Sequence, residues 1–314
     1  LLCLGFFFSP TWVKAKPPFQ YIWGTAHHIL PETHSDESGY FSLCEGNDGR
    51  IYIGTAKYNH NAYIVEFDPV TAKQRIVVDA HSVCGLTAKG YAAQAKFHTR
   101  NYVGPSGIIY AGTKQGYRKK GDTSEYAGGY FITYDSRNDT ARNLGMPYKK
   151  QGIADVVADE SRGLAYIVTC EDQHWMLYDF ATKKFSELGP MLTPYATTLM
   201  DSEGNAHSLT KDFHLATYNP KTKKVTQRPI EIEGKPFVRK NGSAIPTWNL
   251  SADGRTAWLI LMNDASLISI DLSSKGGKVN GVNHGLMLRG DKPDSRSALT
   301  IAPDGKIYTL ISVQ

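Results

Sequence analysis

The sequence predicts an all-β chain, a β-propeller of repeated four-stranded blades, and three observations lead there. First, a turn glycine recurs at Asn47-Asp48-Gly49, Pro105-Ser106-Gly107, Ser161-Arg162-Gly163, Ser202-Glu203-Gly204, Ala252-Asp253-Gly254 and Pro303-Asp304-Gly305, each followed by a short β-run such as Ile51-Tyr52-Ile53. Second, partner runs end in Phe67-Asp68, Tyr134-Asp135, Tyr178-Asp179, Tyr218-Asn219 and Ile270-Asp271, and after most of them come a turn and one more strand. Third, the composition of 18 Tyr, 12 Phe and 29 Gly favours strands and close turns over helices. Four strands per unit at a period of roughly 40 to 55 residues is the pattern of blades, whereas a sandwich would lack this self-similarity.

Along the chain, residues 1–16 read as the end of a secretion leader: an apolar Leu1-to-Phe8 stretch, then Val13-Lys14-Ala15 with a small residue at a cleavage position. The stretch is too short to span a bilayer, and no initiator Met precedes it, so the expectation is a clipped fragment of a secreted or periplasmic protein. Residues 17–314 then form one propeller domain. If Cys3 leaves with the leader, Cys44, Cys84 and Cys170 remain, which fits one disulfide with a free thiol, or no disulfide. The β-like run Phe19–Ile29 stands before the first unit and suits a strand that completes the last blade. The second unit carries a polar excursion, Lys119 to Gly129, and the sixth stops at Gln314 after about two strands. The ring is therefore expected to be C-terminally truncated here and seven-bladed in full length, with eight blades as the alternative. A formal charge of +5 without a run of like charges speaks against a nucleic-acid face. A monomer with no membrane span is expected.

In a propeller the innermost strands converge on a channel whose mouth suits ligands. Nine residues before the turn glycines stand Tyr40, His98, Tyr195, Ile245 and Arg296, and the longer third unit offers Gly152 to Asp155. Loops after the next strand supply Lys57 and Tyr58, Lys114 and Tyr117, Glu171 and His174, Lys211 and His214. Tyr and Lys at strand ends also occur as ordinary amphipathic rim residues. His98 stands out because two of its counterparts, Tyr40 and Tyr195, are tyrosines and its neighbour Arg100 adds charge to an inner strand. The Asp of each aromatic-Asp pair recurs from unit to unit, as a turn-capping residue does. Cys170 and His174, four residues apart, are candidate ligands for a structural zinc, with His207 and His214 in the next unit. One such pair alone reads equally as a packed thiol and a loop imidazole. No nucleophile elbow, phosphate loop or dinucleotide fingerprint is present.

At His98-Thr99-Arg100, Gly112-Thr113-Lys114-Gln115-Gly116-Tyr117 and Gly128-Gly129-Tyr130 the chain resembles secreted bacterial seven-bladed polysaccharide lyases of the ulvan lyase type. The resemblance implies β-elimination on an acidic polysaccharide or oligosaccharide. His98 would be the channel histidine, neutralising the uronate carboxylate or acting as base. Tyr117 stands about where a second histidine is usual, and Tyr166 lies near the family's catalytic tyrosine. Either tyrosine would serve as base or acid if nearby cations lower its pKa. Tyr40, Arg100, Lys114, Arg118, Tyr195 and Arg296 would bind substrate. A non-catalytic glycan- or partner-binding propeller uses the same mouth, and a metal-dependent lactonase, which needs acidic and Asn ligands in the channel, finds only Asp155 there.

Overall fold

Each sequence repeat becomes one antiparallel sheet in the computed structural model, which describes residues 24–33, 35–37, 42–238, 247–261, 265–290 and 299–311. The first blade is Leu43–Glu45, Ile51–Gly54, Tyr63–Phe67 and Gln74–Asp79, paired in that order. The third is Ile153–Asp159, Leu164–Thr169, Trp175–Asp179 and Lys184–Glu187, and the fourth Leu199–Met200, Ala206–Leu209, Leu215–Asn219 and Lys224–Arg228. The fifth sheet, from Thr247–Leu250 outward to Val279–Leu286, gains Ile230–Ile232, which runs parallel to its outer strand, and Lys235–Pro236. Leu299–Ile301 and Ile307–Thr309 pair as the start of a sixth. The chain is thus a β-propeller.

The turn glycines fall at one equivalent place. Gly49, Gly107, Gly163, Gly204, Gly254 and Gly305 all have left-handed φ, between 64° and 86°. Each donates its N–H to the carbonyl three residues before it, closing the same turn between the innermost strand and the next. At Gly49 an added Cβ would meet nothing within 4 Å, so the backbone angle alone asks for glycine. The aromatic-Asp residues cap turns: Asp68 accepts from the N–H of Val70 and Thr71, Asp179 from Ala181 and Thr182, and Asn219 from Lys221 and Thr222.

Burial grades outward within a blade: Ile153–Asp159 is buried at every residue, whereas Lys184–Glu187 is mostly exposed. The cores lie between blades. Tyr52, Ile64 and Val78 of the first pack against Phe97, Ile109 and Ile132 of the second, and Tyr110 and Phe131 meet Ile153, Ile167 and Tyr178. Tyr166 and Trp175 face Tyr218 across the third and fourth blades, and Leu215 meets Trp248 across the fourth and fifth. Each interface buries apolar faces that a lone blade would expose.

The described part of the run before the first unit, residues 24–30, forms no strand and lies on the outer edge of the first blade, where Gln74 Nε2 donates to the His28 carbonyl at 2.7 Å and Gln74 Oε1 accepts from Leu30 N at 3.2 Å. Cys44, Cys84 and Cys170 are all free thiols. Residues 1–23, which include the first part of the expected strand Phe19–Ile29, and Tyr40, Ile245 and Arg296 lie outside the described residues. No helix among the described residues is long and apolar enough to cross a membrane.

Candidate ligand site at the mouth of the first three blades

The inner strand of the second blade is broken at the His98-Thr99-Arg100 motif. Ile108–Lys114 pairs first with Lys96–Phe97 and then with Tyr102–Val103. Between them Thr99 Oγ1 takes the Gly112 N–H at 3.0 Å in place of a backbone carbonyl, and Asn101 adopts a left-handed φ of 52°. This irregularity separates the motif's charged residues into two environments.

Arg100 turns into the channel and makes four side-chain hydrogen bonds there. Its guanidinium grips Asp155 through two bonds of 2.9 Å and donates to the carbonyls of Trp248 at 3.2 Å and Thr198 at 3.1 Å. Asp155, wholly buried, also accepts the Thr198 N–H at 2.8 Å. The pair ties the second, third, fourth and fifth blades together around the axis. It borders a channel cavity of about 900 Å³, also lined by Asn101, Val157, Leu199, Asn249 and Leu299. Four of its five N–H donors are held by protein acceptors, which makes Arg100 a brace of the ring.

The other environment lies at the channel mouth. Strand register sets Lys96 directly opposite Lys114, and like charges so opposed repel unless a counter-charge intervenes. Glu171 supplies one. Its carboxylate binds Lys114 Nζ, accepts the Gly152 N–H at 2.9 Å and accepts from Gln115 Nε2 at 3.3 Å. Gly152 has to be glycine, since a Cβ would come within 2.6 Å of Lys114 Cγ. For Lys114, burial opposes the charge, but the Cys170 sulfur and the Glu171 carboxylate outweigh it and hold its pKa above the ordinary value.

Lys96, a residue the sequence reasoning missed, is only 4% exposed. Its ammonium lies over the rings of Tyr58 and Tyr117, 5.2 Å and 5.9 Å from their centroids, and among the described residues it makes no ion pair. Burial first, then the charge of Lys114, pulls its pKa down to about 8. The two rings meet edge to face at 4.9 Å. Tyr117 is 72% exposed and forms the outer wall. Gly116 lets Tyr58 approach, since a Cβ there would stand 2.7 Å from the Tyr58 Cβ.

His98 lies behind this pair, 5% exposed. Its Nδ1 is 3.3 Å from the Ile153 carbonyl oxygen and 3.4 Å from Cys170 Sγ. Burial, then Lys96 and Lys114, keep the imidazole well below its ordinary pKa, and it is neutral. Burial likewise pushes the Cys170 thiol up to about 11. Arg118 closes the rim, stacked 4.0 Å over Tyr91 and bonded to the carbonyls of Asp122 and Ser124, and Tyr91 OH accepts from Gln115 at 3.4 Å.

The remaining candidates stand apart. Tyr166 is completely buried in the core between the third and fourth blades; burial raises its pKa, and its hydroxyl has no hydrogen-bond partner among the described residues. Tyr195 is half exposed on a turn with φ 59°. His174 pairs with Glu187 at 2.6 Å and stacks on Tyr148 at 3.8 Å, while Cys170 turns to His98, so the two proposed zinc ligands do not meet. No group of three His, Cys, Asp or Glu that could hold a metal occurs among the described residues.

No family model and no curated protein matches the chain. Solved structures match in fold. A periplasmic gluconolactonase from Pseudomonas aeruginosa is similar at 14% identity and a TM-score of 0.55 over 83% of this chain and 75% of its own. A Lactobacillus plantarum protein is 14% identical, with a TM-score of 0.49 over 83% of this chain and 81% of its own. A Bacteroides thetaiotaomicron protein of unknown function is 10% identical, with a TM-score of 0.46 over 73% of this chain and 54% of its own. The expectation of a uronate-cleaving lyase is corrected here. The similar enzyme is a lactonase, a hydrolase, and no family model supports the ulvan lyase resemblance.

Proposed function

We propose that the chain binds a small saccharide acid at this mouth, with the ligand carboxylate between Lys96 and Lys114 and a sugar face against Tyr58 or Tyr117. One observation carries the reading: of two opposed, enclosed lysines only Lys114 is paired, with Glu171, which leaves Lys96 without a counter-charge among the described residues. A desolvated, unneutralised charge is costly, and an anionic ligand relieves that cost. The tyrosine walls and Gln115 supply the aromatic face and polar contacts that a polyhydroxylated ring uses. An acidic oligosaccharide partner and an extracytoplasmic location belong to the same reading. Isothermal calorimetry with gluconate, glucuronate and uronate oligomers against neutral glucose tests it. Heat from the acids alone, lost in Lys96→Met and weakening as the pH passes about 8, is expected. Silence from every acid, or equal binding of glucose, would remove the proposal.

A second reading follows from the gluconolactonase similarity: opening a sugar lactone yields such a carboxylate, and an amine with a pKa near 8 is suited to take a proton from attacking water. Acid release from gluconolactone, followed in a pH-stat, should then fall about a hundredfold or more in Lys96→Met. Release no faster than in buffer alone would leave binding without turnover.

A further inference from the structure

We infer that Lys96 captures carbonyl compounds, condensing with the aldehyde or ketone of an oxo acid whose carboxylate rests on Lys114. The inference rests on the reading of the mouth as a saccharide-acid site and adds a covalent step to it; an open-chain uronate carries both groups on one molecule.

A lysine becomes a nucleophile at neutral pH when it is desolvated, has no ion-pair partner and faces a second cation. Lys96 meets all three conditions. It is 4% exposed, makes no ion pair among the described residues and stands opposite Lys114 on the adjacent strand. The charge of Lys114 is itself secured by Glu171, so it stays a cation while Lys96 titrates. The groups acting on Lys96 are Lys114, Cys170, Glu171 and Glu37, with neutral His98 behind, and burial is the largest influence. At pH 8 about half of this amine is free, against well under a hundredth of an ordinary lysine. Tyr58 and Tyr117 both lie over the ammonium, and Tyr117, 72% exposed, sits on a segment from Gln115 to Tyr130 without strand pairing, the side from which a small aldehyde acid would approach.

The step balances without a redox partner. The nitrogen lone pair forms a bond to the carbonyl carbon; the carbonyl oxygen gathers two protons and leaves as water. A carbon–nitrogen double bond remains. Tyrosine walls retard return of water, and hydride from cyanoborohydride reduces the imine to a stable secondary amine.

The full chain would be incubated with glyoxylate, the smallest aldehyde acid, and cyanoborohydride at pH 7.5, then digested and mapped by mass spectrometry. Carboxymethylation of Lys96 is expected about a hundredfold ahead of surface lysines, the ratio set by their free-amine fractions. Propionaldehyde, which has no carboxylate, should lose that preference, as should glyoxylate with Lys114→Met, whereas Lys114→Arg should keep it. Label spread over surface lysines without Lys96, or equal labelling of Lys96 by propionaldehyde, overturns the inference. Calorimetric binding of uronate without any Lys96 adduct sinks the covalent step and leaves the saccharide-acid reading intact; neither signal sinks both.

Discussion

Replacing Lys96 by Met gives a quantitative test of the burial argument. The fold lowers this amine's pKa from 10.5 to about 8. Each unit corresponds to about 1.4 kcal/mol, so holding the charged form costs the native state about 3 kcal/mol. Below pH 8 both folded and unfolded chains are protonated there and the full cost is present. Between pH 8 and 10.5 the unfolded chain keeps a proton that the folded chain has released. The cost therefore fades as pH rises, and wild-type stability climbs across that window. Met fills a similar volume and cannot titrate. Urea unfolding of both proteins, in steps from pH 7 to 10.5, should show the wild type gaining about 3 kcal/mol on Lys96→Met. The lost attraction to the Tyr58 and Tyr117 rings, up to about 2 kcal/mol in the charged form, would reduce the gain without reversing it. His98, which feels the Lys96 charge, titrates well below this window and Cys170 near its upper edge, at about 11, so the lower part of the window reports Lys96. Parallel curves would mean that Lys96 is solvated or paired, and would remove the physical basis for both its binding and its nucleophilic roles.

Asp155→Asn should destabilise the ring by about 3 to 5 kcal/mol in urea, because it strands the Arg100 guanidinium among carbonyls. The Arg100→Met, Asp155→Leu double variant should lose less than the two single changes summed. Gly49→Ala should cost about 1 to 2 kcal/mol through backbone strain alone, since its Cβ has open space; a neutral result would deny the left-handed turn. Tyr166→Phe removes a buried hydroxyl without a described partner, so melting should be unchanged or slightly raised and saccharide-acid binding unaffected. A large loss of binding would restore Tyr166 to the site.

The blade pattern was legible because it rests on local rules. A left-handed glycine closes each inner turn, an Asp or Asn side chain caps each outer one, and neither depends on distant partners. The added strand Ile230–Ile232 escaped notice because its pairing is parallel to a strand far along the chain, which no short-range signal records. His98, Lys114 and Tyr117 were found through their places in the repeat, and they do gather around one ammonium. Lys96 was passed over because, in sequence, it is one lysine among 35 basic residues.

What the sequence determined by itself was the blade, its turns and the end of each blade at which chemistry could collect. Only the tertiary structure set the partners and the burial of each charge. The partner of a charge lies on another blade, as Asp155 does for Arg100 and Glu171 for Lys114. Arg100, a candidate ligand by position, became a brace because folding spent four of its five N–H donors on protein oxygens. Lys96, unremarked by position, became the reactive candidate because register set it against a second cation, and burial took away the water that would have screened both.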